Sequence, residues 1–472
     1  MAKGLHVFLT TATGSLSTDT APVGGGVAVL EALLAYLRAA PDLDVTLLRP
    51  RVWSTLPCAP SSLPEGPGAG AIPGEGRAGR SGLRVVELDV PCLQNRPTDH
   101  LLHLSERSYA HFALEWERAL LDHLRAVPPE RAVVVSNDVS EGPPFAALAG
   151  LGFAQVVLYH VVVAAFFARQ YLRGPFGIAI PATAAARAWR TCERLSLTRF
   201  APRIARLVWA KEAEAARHAS AIVPSPSLGR DLARLYPGSG VEARTLVCPW
   251  GVIGTPEPAR RARREATLAR HGIAPERFVL LTLSRISPEK RLELLLRALR
   301  RIEAHAPEAA DRLALAIAGA PAYMGGRAYE KRLRAESARL ERVPVRFVGY
   351  LAGDDKWDLL AAADLFSSTS SYEAYGLTIA QALASGTPAL ATDHQGSRAI
   401  LGGTTELGWI VPPTARALAS AILAALDAPD RRAAAARFGA RHPFRNAARA
   451  VLATLREAGS RLPAPRPPPC EG

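Results

Sequence analysis

Ser370-Ser371-Tyr372-Glu373-Ala374-Tyr375-Gly376-Leu377-Thr378-Ile379-Ala380-Gln381-Ala382-Leu383-Ala384-Ser385-Gly386-Thr387-Pro388 is the stretch whose reading decides the fold. A serine-rich loop delivers the acid Glu373, and Gly376 opens a short apolar segment. Leu377, Ala380 and Leu383 recur at helical spacing, so one face of a helix is expected to be buried. Gly386, with Pro388 two residues later, stops the helix and returns the chain to a strand. At the other end, the free N–H groups of Gly376, Leu377 and Thr378 favour an anion by about 0.3–1 kcal/mol. A carboxylate beside a helix N-terminus is the layout of a sheet edge that holds a charged ligand. The plainer alternative is a purely structural turn.

At 472 residues the chain exceeds one ordinary core, so two or three domains are expected. Apolar residues make up 49%, enough to bury sizeable cores. No apolar run reaches the length of a spanning helix. The start, Met1-Ala2-Lys3-Gly4-Leu5-His6-Val7-Phe8, runs into a strand-like segment and does not read as a signal peptide. Five dispersed cysteines (Cys58, Cys92, Cys192, Cys248 and Cys470) show no paired spacing, which suggests free thiols and no structural zinc site. A cytoplasmic location is the expectation, with peripheral contact at the inner face of a membrane as a further option.

The net charge is +14, and only five of the 57 basic residues are lysines. The arginines spread along the whole chain, and no helix-turn-helix, zinc-finger or RNA-recognition signature accompanies them, so nucleic acid is not an expected partner. One segment stands apart: Arg187, Arg190, Arg194, Arg199, Arg203 and Arg206 are interleaved with Trp189, Leu195, Leu197, Phe200 and Trp209. It is the best candidate for a lipid-facing surface. An ordinary helix pair with solvated arginines is the preferred alternative.

Short β-branched runs alternate with helical segments from end to end, as in doubly wound α/β domains with mostly parallel sheets. Strands are expected at 5–11, 45–49, 83–90, 132–136, 156–160 and 221–224. The pattern restarts with 278–284, 313–318, 343–348, 365–368, 389–392 and 408–411. Two Rossmann-like units imply a cleft, with ligands beyond the carboxyl ends of the strands. The expected division is 1–247, 248–441, a final helical segment within 442–461, and a proline-rich, disordered tail at 462–472. The Gly- and Pro-dense run 60–82 reads as a mobile surface loop.

Thr282-Leu283-Ser284-Arg285-Ile286-Ser287-Pro288-Glu289-Lys290-Arg291 sits where the second unit's first strand ends and a helix is expected to start, at Pro288. Arg285 and Lys290 therefore bracket a loop at the sheet's carboxyl edge. In a chain that otherwise uses arginine almost throughout, a lysine here is informative; the rival reading is two solvated surface charges.

These two segments together resemble the donor site of retaining family-4 glycosyltransferases, of the glycosyl transferases group 1 type. The resemblance spans nearly the whole chain and is strongest over 278–413. It implies the GT-B fold, with a first domain that binds acceptor, a second that binds donor, and a final helix crossing back onto the first. It also implies transfer of a hexose from a nucleoside-diphosphate sugar to an acceptor hydroxyl, with the anomeric configuration retained. Glycan, lipid-linked and small-molecule acceptors all remain open. The donor is a co-substrate, and no further cofactor and no metal are expected. The acid pairs Asp42/Asp44 and Asp354/Asp355 are taken as coincidental.

By the same resemblance, Arg285, Lys290 and the amides of Gly376, Leu377 and Thr378 hold the donor phosphates, while Glu373 stands beside the hexose. The family's second acid, eight positions on, is replaced here by Gln381. Its amide can still bind ribose hydroxyls but supplies no negative charge. Of the family's Gly-Gly loop, Asp393-His394-Gln395-Gly396-Ser397 keeps only Gly396. In the first domain Pro22-Val23-Gly24-Gly25-Gly26-Val27 matches the family's glycine loop, which places Gly25 and Gly26 against the diphosphate. The dinucleotide fingerprint is not met, since its third glycine would fall on Val29. His160, expected at a strand end, is the catalytic candidate on the acceptor side, with Ser136-Asn137-Asp138 and Ser140-Glu141 nearby in the pattern. A GT-B sugar phosphorylase or epimerase and a non-catalytic sugar-nucleotide binder are the alternatives.

Overall fold

Seven strands form the first sheet: β1 (Leu5–Thr10), β2 (Leu43–Pro50), β3 (Leu83–Leu88), β4 (Ala132–Ser136), β5 (Ala154–Leu158), β6 (Ser220–Val223) and β7 (Thr245–Val247). They lie in the order β3-β2-β1-β4-β5-β6-β7, every neighbouring pair parallel. A parallel sheet must be covered on both faces, which is why β4, Ala132-Val133-Val134-Val135-Ser136, is apolar almost throughout and wholly buried. The computed structural model describes residues 4–12, 24–51, 83–94, 106–172, 180–254, 256, 258–322, 325–402 and 404–461. The run 60–82, the tail 462–472 and the Pro22-Val23 start of the glycine loop lie outside them.

The second sheet contains β8 (Phe278–Leu283), β9 (Leu313–Ala318), β10 (Val345–Gly349), β11 (Leu365–Ser368), β12 (Ala389–Thr392) and β13 (Gly408–Val411). Its order is β10-β9-β8-β11-β12-β13, again all parallel. The helix Leu292–His305 buries Leu292, Leu295, Leu296, Leu299 and Ile302, one face at 3.6-residue spacing, against this sheet and the helix Ala415–Leu426.

The chain divides into two units. One is Gly26–Cys248 with β1 and the residues from Ala448 onward; the other is Pro249–Ala447. The helix Phe444–Ser460 begins in the second unit and belongs to the first from Ala448. There, Arg456 makes a two-pronged ion pair with Asp42, both contacts at 2.8 Å. Each sheet reverses strand order once, at β1/β4 and at β8/β11. In open α/β sheets the crevice beyond such a reversal is where ligands bind.

Three local features differ from the sequence-based expectation. Residues 245–247, where no strand was expected, form the edge strand β7. The strand expected over 156–160 ends at Leu158, because its neighbour β6 runs into Pro224, which has no N–H to extend the ladder. His160 therefore lies just past the strand. Finally, the helix does not start at Pro288. Pro288–Lys290 is a single 3₁₀ turn, Arg291 takes a left-handed conformation (φ 48°, ψ 42°), and the α-helix begins at Leu292.

Many of the arginines that composition leaves without a role are tied down inside the second unit. Asp364, just before β11, accepts from Arg261 at 2.9 Å, Arg264 at 2.6 Å, Arg432 at 3.2 Å and the Val279 amide of β8 at 2.9 Å. Arg260 and Asp358, both buried, pair at 2.9 Å. Removing a partly buried carboxylate from several guanidinium groups costs about 3–5 kcal/mol, because the cations left behind have lost their counter-charge. Asp364→Ala is accordingly expected to lower stability by about that amount, read as a fall in the urea midpoint at unchanged slope.

Candidate active site

The loops that leave β8 and β11 are stitched together at the second sheet's reversal. Thr369 Oγ1 donates to the Lys290 carbonyl at 2.7 Å, and the Ser371 amide to the Glu289 carbonyl at 2.8 Å. Arg291 donates through Nε to Thr369 O at 3.1 Å and through Nη2 to Ser370 O at 2.8 Å. These bonds hold Arg291 in its left-handed backbone, which an L-residue adopts at a cost of about 1–2 kcal/mol. They also bring Lys290 Nζ to 2.6 Å from Glu373 Oε1, which Ser370 Oγ contacts at 2.8 Å.

Burial on its own would raise the Glu373 carboxyl. The Lys290 ammonium, together with His394 and the Ser370 hydroxyl, more than offsets this and holds it below the usual carboxylate range. An ionised acid and a cation therefore share the crevice. Arg285 stands on the same loop, 3.4 Å from the buried Glu289 carboxylate, which Ser287 Oγ also contacts at 2.5 Å. Arg285 is thus tied to its own loop through Glu289.

Three residues after Glu373, Gly376 turns the chain with φ 90° and ψ 55°, a left-handed conformation that favours glycine. The helix Leu377–Ala384 follows, and the amides of its first turn have no intrahelical acceptor. It ends as expected: Gly386 has φ 79°, and the Thr387 amide reaches back to Ala382 O at 2.9 Å. Gln381, one turn into the helix, is buried and donates Nε2 to the Ile253 carbonyl at 3.0 Å. One of its two amide N–H groups is therefore committed to the chain, and its Oε1 is the atom with acceptor capacity.

Close packing behind the acid explains why Gly396 is a glycine. Its amide donates to Glu373 O at 2.8 Å, and a Cβ there would come within 2.5 Å of Tyr375 O. Tyr375 in turn accepts from the Gly251 amide at 3.0 Å through its hydroxyl. His394 caps the helix Gln395–Leu401: Nδ1 accepts from the Ser397 amide at 3.0 Å, and the Ser397 hydroxyl accepts from the His394 amide. Burial pushes this imidazole down to about 4, with Glu373 opposing and Lys290 and Arg291 reinforcing the shift.

The first unit assembles a second group of residues at its own sheet edge. Gly25 and Gly26 open the helix Gly25–Ala39, which belongs to this unit from Gly26 onward. Gly26 packs against His160 so closely that a Cβ would meet its Cδ2 at 2.8 Å. His160 Nε2 lies 2.9 Å from Asn137 Oδ1, and burial lowers its pKa to about 4, so the ring is neutral at pH 7. Beside β1 and β4, Asp138 accepts from Ala12 N at 3.2 Å and Thr11 Oγ1 at 3.3 Å. Burial, then the nearby Glu141, raises the Asp138 carboxyl to about 7. Glu141, raised by burial, accepts from the Tyr109 hydroxyl. Among the described residues no cluster of three or more histidine, cysteine or acidic side chains is placed to hold a metal ion. Asp354 and Asp355 pair instead with Arg260 at 2.8 Å and Arg270 at 3.2 Å.

Residues 263–442 match the family Glycosyl transferases group 1. The chain carries a group 1 glycosyl transferase domain. Mannosylfructose-phosphate synthase of Agrobacterium fabrum is 37% identical over 141 residues, covering 29% of this chain and 30% of that protein. D-inositol 3-phosphate glycosyltransferase of Kineococcus radiotolerans is 35% identical over 218 residues, covering 43% of this chain and 48% of that protein. The chain thus spans less than half the length of these relatives. Two solved structures share the fold along nearly the whole chain. Anabaena HepE in complex with UDP-glucose has a TM-score of 0.59 at 17% identity, covering 96% of this chain and 100% of that one. The α,α-trehalose 6-phosphate synthase of Burkholderia multivorans has a TM-score of 0.63 at 14% identity, covering 98% and 100%. The two parallel sheets and these likenesses make the fold GT-B.

Within the glycosyl transferase domain, sequence reasoning singled out Lys290, Glu373 and Gly376 but passed over Arg291, Tyr375 and His394. Arg291 and Tyr375 act on backbone atoms far along the chain, which leaves no local pattern. His394 left none either, because its reciprocal cap with Ser397 falls outside the Ser/Thr-x-x-Glu/Gln pattern by which a capping box is read from sequence. Because its folded pKa is lower than the 6.5 of an exposed histidine, the unfolded chain binds more protons between about 6.5 and about 4. Stability from this group is thus present above that window and lost as pH falls through it. His394→Asn keeps a capping side chain without the titration. Wild type is expected to lose more melting temperature than this variant between about pH 7 and about pH 5, measured in one buffer series.

Proposed function

We propose that the chain is a retaining glycosyltransferase that moves a hexose from a nucleoside-diphosphate sugar to an acceptor hydroxyl. The observation that carries this reading is the Lys290–Glu373 contact of 2.6 Å, set beside the first-turn amides of the helix Leu377–Ala384, which have no intrahelical acceptor. A cation and helix-end amides suit a departing diphosphate, and an ionised acid suits the hydroxyls and developing positive charge of the sugar. The names of the relatives, a synthase of mannosylfructose phosphate and a glycosyltransferase of D-inositol 3-phosphate, support transfer chemistry, and HepE's complex supports a UDP-sugar as donor.

On this reading the bond from the anomeric carbon to the diphosphate oxygen breaks while Arg285, Lys290 and the amides of Gly376, Leu377 and Thr378 take up the negative charge. The acceptor oxygen attacks the same face, and its proton passes to the leaving diphosphate, so no metal and no protein base is needed. Glu373 orients the hexose, and Gln381 offers Oε1 to the ribose hydroxyls. His160, neutral and backed by Asn137, takes the acceptor side as a hydrogen-bonding group, with Gly25 and Gly26 giving close backbone approach to the phosphates.

The test is release of nucleoside diphosphate from a panel of sugar nucleotides, run with wild type, Glu373→Ala and Lys290→Ala. Wild type is expected to hydrolyse one donor slowly without acceptor, with kcat reduced about 10²–10³-fold in Lys290→Ala. Donor-induced thermal stabilisation with no turnover of any donor would favour a sugar-nucleotide binder. Undiminished turnover in both variants would remove the site from the reaction.

A further inference from the structure

We infer that the segment Arg194–Arg203 is a docking surface for an anionic lipid bilayer. The structure separates the aromatic and apolar residues that the sequence interleaves here. Trp209 is buried, stacks on Trp189 with ring centroids 5.4 Å apart and meets Phe167 edge-on at 5.6 Å. Phe167 comes from the helix Val163–Tyr171, which packs against both helices that carry the tryptophans, Ala182–Arg194 and Arg203–His218. Leu195, Leu197 and Phe200, on the connection between those helices, stay out: they are 62%, 44% and 73% exposed.

Scattered apolar side chains on a surface need no explanation, but three within one short connection form a patch that a water-facing loop has no use for. The connection is a single 3₁₀ turn, Leu197–Phe200, entered through Ser196 in a left-handed conformation, so the side chains are presented on a tight corner. An ordinary helix pair would pack its connection's apolar residues inward; this one does the opposite.

The charge around the patch selects the partner. Arg194, Arg199 and Arg203 are exposed, and the Arg199 guanidinium lies over the Phe200 ring at 4.8 Å. Over 187–206 the sole acid is Glu193, and it accepts from Trp189 Nε1 at 2.8 Å. A basic rim around exposed leucines and a phenylalanine fits the boundary between anionic headgroups and acyl chains. Neither half alone gives stable anchoring, but the two signals together do. Among the described residues no helix is long and apolar enough to cross a membrane.

The experiment is co-sedimentation with vesicles of phosphatidylglycerol and phosphatidylcholine, and with phosphatidylcholine alone. Wild type is expected to bind the anionic vesicles, less tightly as salt rises, and to ignore the neutral ones. Replacing Arg194, Arg199 and Arg203 by Gln is expected to weaken binding about a hundredfold. Replacing Leu195, Leu197 and Phe200 by Ser is expected to weaken it about tenfold or more even at low salt. Phe200→Trp alone reports insertion without disturbing the fold: its emission is expected to shift to the blue with anionic vesicles only. Unchanged binding in both triple variants, or no shift in Phe200→Trp, would overturn the inference. So would tighter binding to a DNA duplex than to vesicles, or self-association of the free protein that the serine variant abolishes.

Discussion

The candidate active site depends on one clasp, the bonding between the loop after β8 and the loop after β11. Strands β8 and β11 are neighbours only because the sheet reverses its order there. The carbonyls of Glu289, Lys290, Thr369 and Ser370 are each met by an amide or side chain of the opposite loop. A buried carbonyl left without a partner costs about 1–3 kcal/mol, so these four bonds are mutually enforcing. Arg291 bears the strain of a left-handed backbone because its guanidinium is fixed at two of those carbonyls. The clasp leaves Lys290 and Glu373 at one distance and in one orientation, before any ligand arrives.

Cations decide the protonation of the buried acids. Glu373 is half-buried, with 25% of its side chain exposed, and is held ionised because Lys290 lies against it. Glu212, in the first unit, is met by the amides of Val163 and Ala164 and by the Tyr236 hydroxyl, and burial raises it to about 7. Asp138 and Glu141 follow Glu212, each raised by burial. Neutral donors lower a carboxyl's pKa less than a full charge at the same distance does, so the same residue type behaves oppositely in the two units.

The arginines include two contrasting groups. Arg260, Arg261, Arg264 and Arg432 bind carboxylates and carbonyls around Asp358 and Asp364, and their planar, many-donor heads suit such multiple contacts. Around the exposed arginines between 194 and 203 the chain is poor in acid, with Glu193 the sole one over 187–206. A net charge of +14 therefore says nothing of these different uses, internal fastening among them and an outward-facing basic rim.

Periodicity, turn residues and the Gly-x-Pro stop were enough to read two doubly wound units, the helix Leu377–Ala384 with its glycine start, and the two loops that carry Lys290 and Glu373. Those features are local, and local sterics and hydrophobic spacing write them directly into the chain. The contact between Lys290 and Glu373, 83 residues apart, was not legible as a distance, because it follows from which strands pair. The same holds for Arg291's conformation and for Gln381's attachment to Ile253 O, which are imposed by atoms brought in from elsewhere. The connection after Arg194 shows the limit most plainly. The sequence determined that apolar and basic residues alternate there; only tertiary packing decided that Trp209 goes inward while Phe200 stays out, because the helix pair has room to bury one set of rings and none for the corner between them.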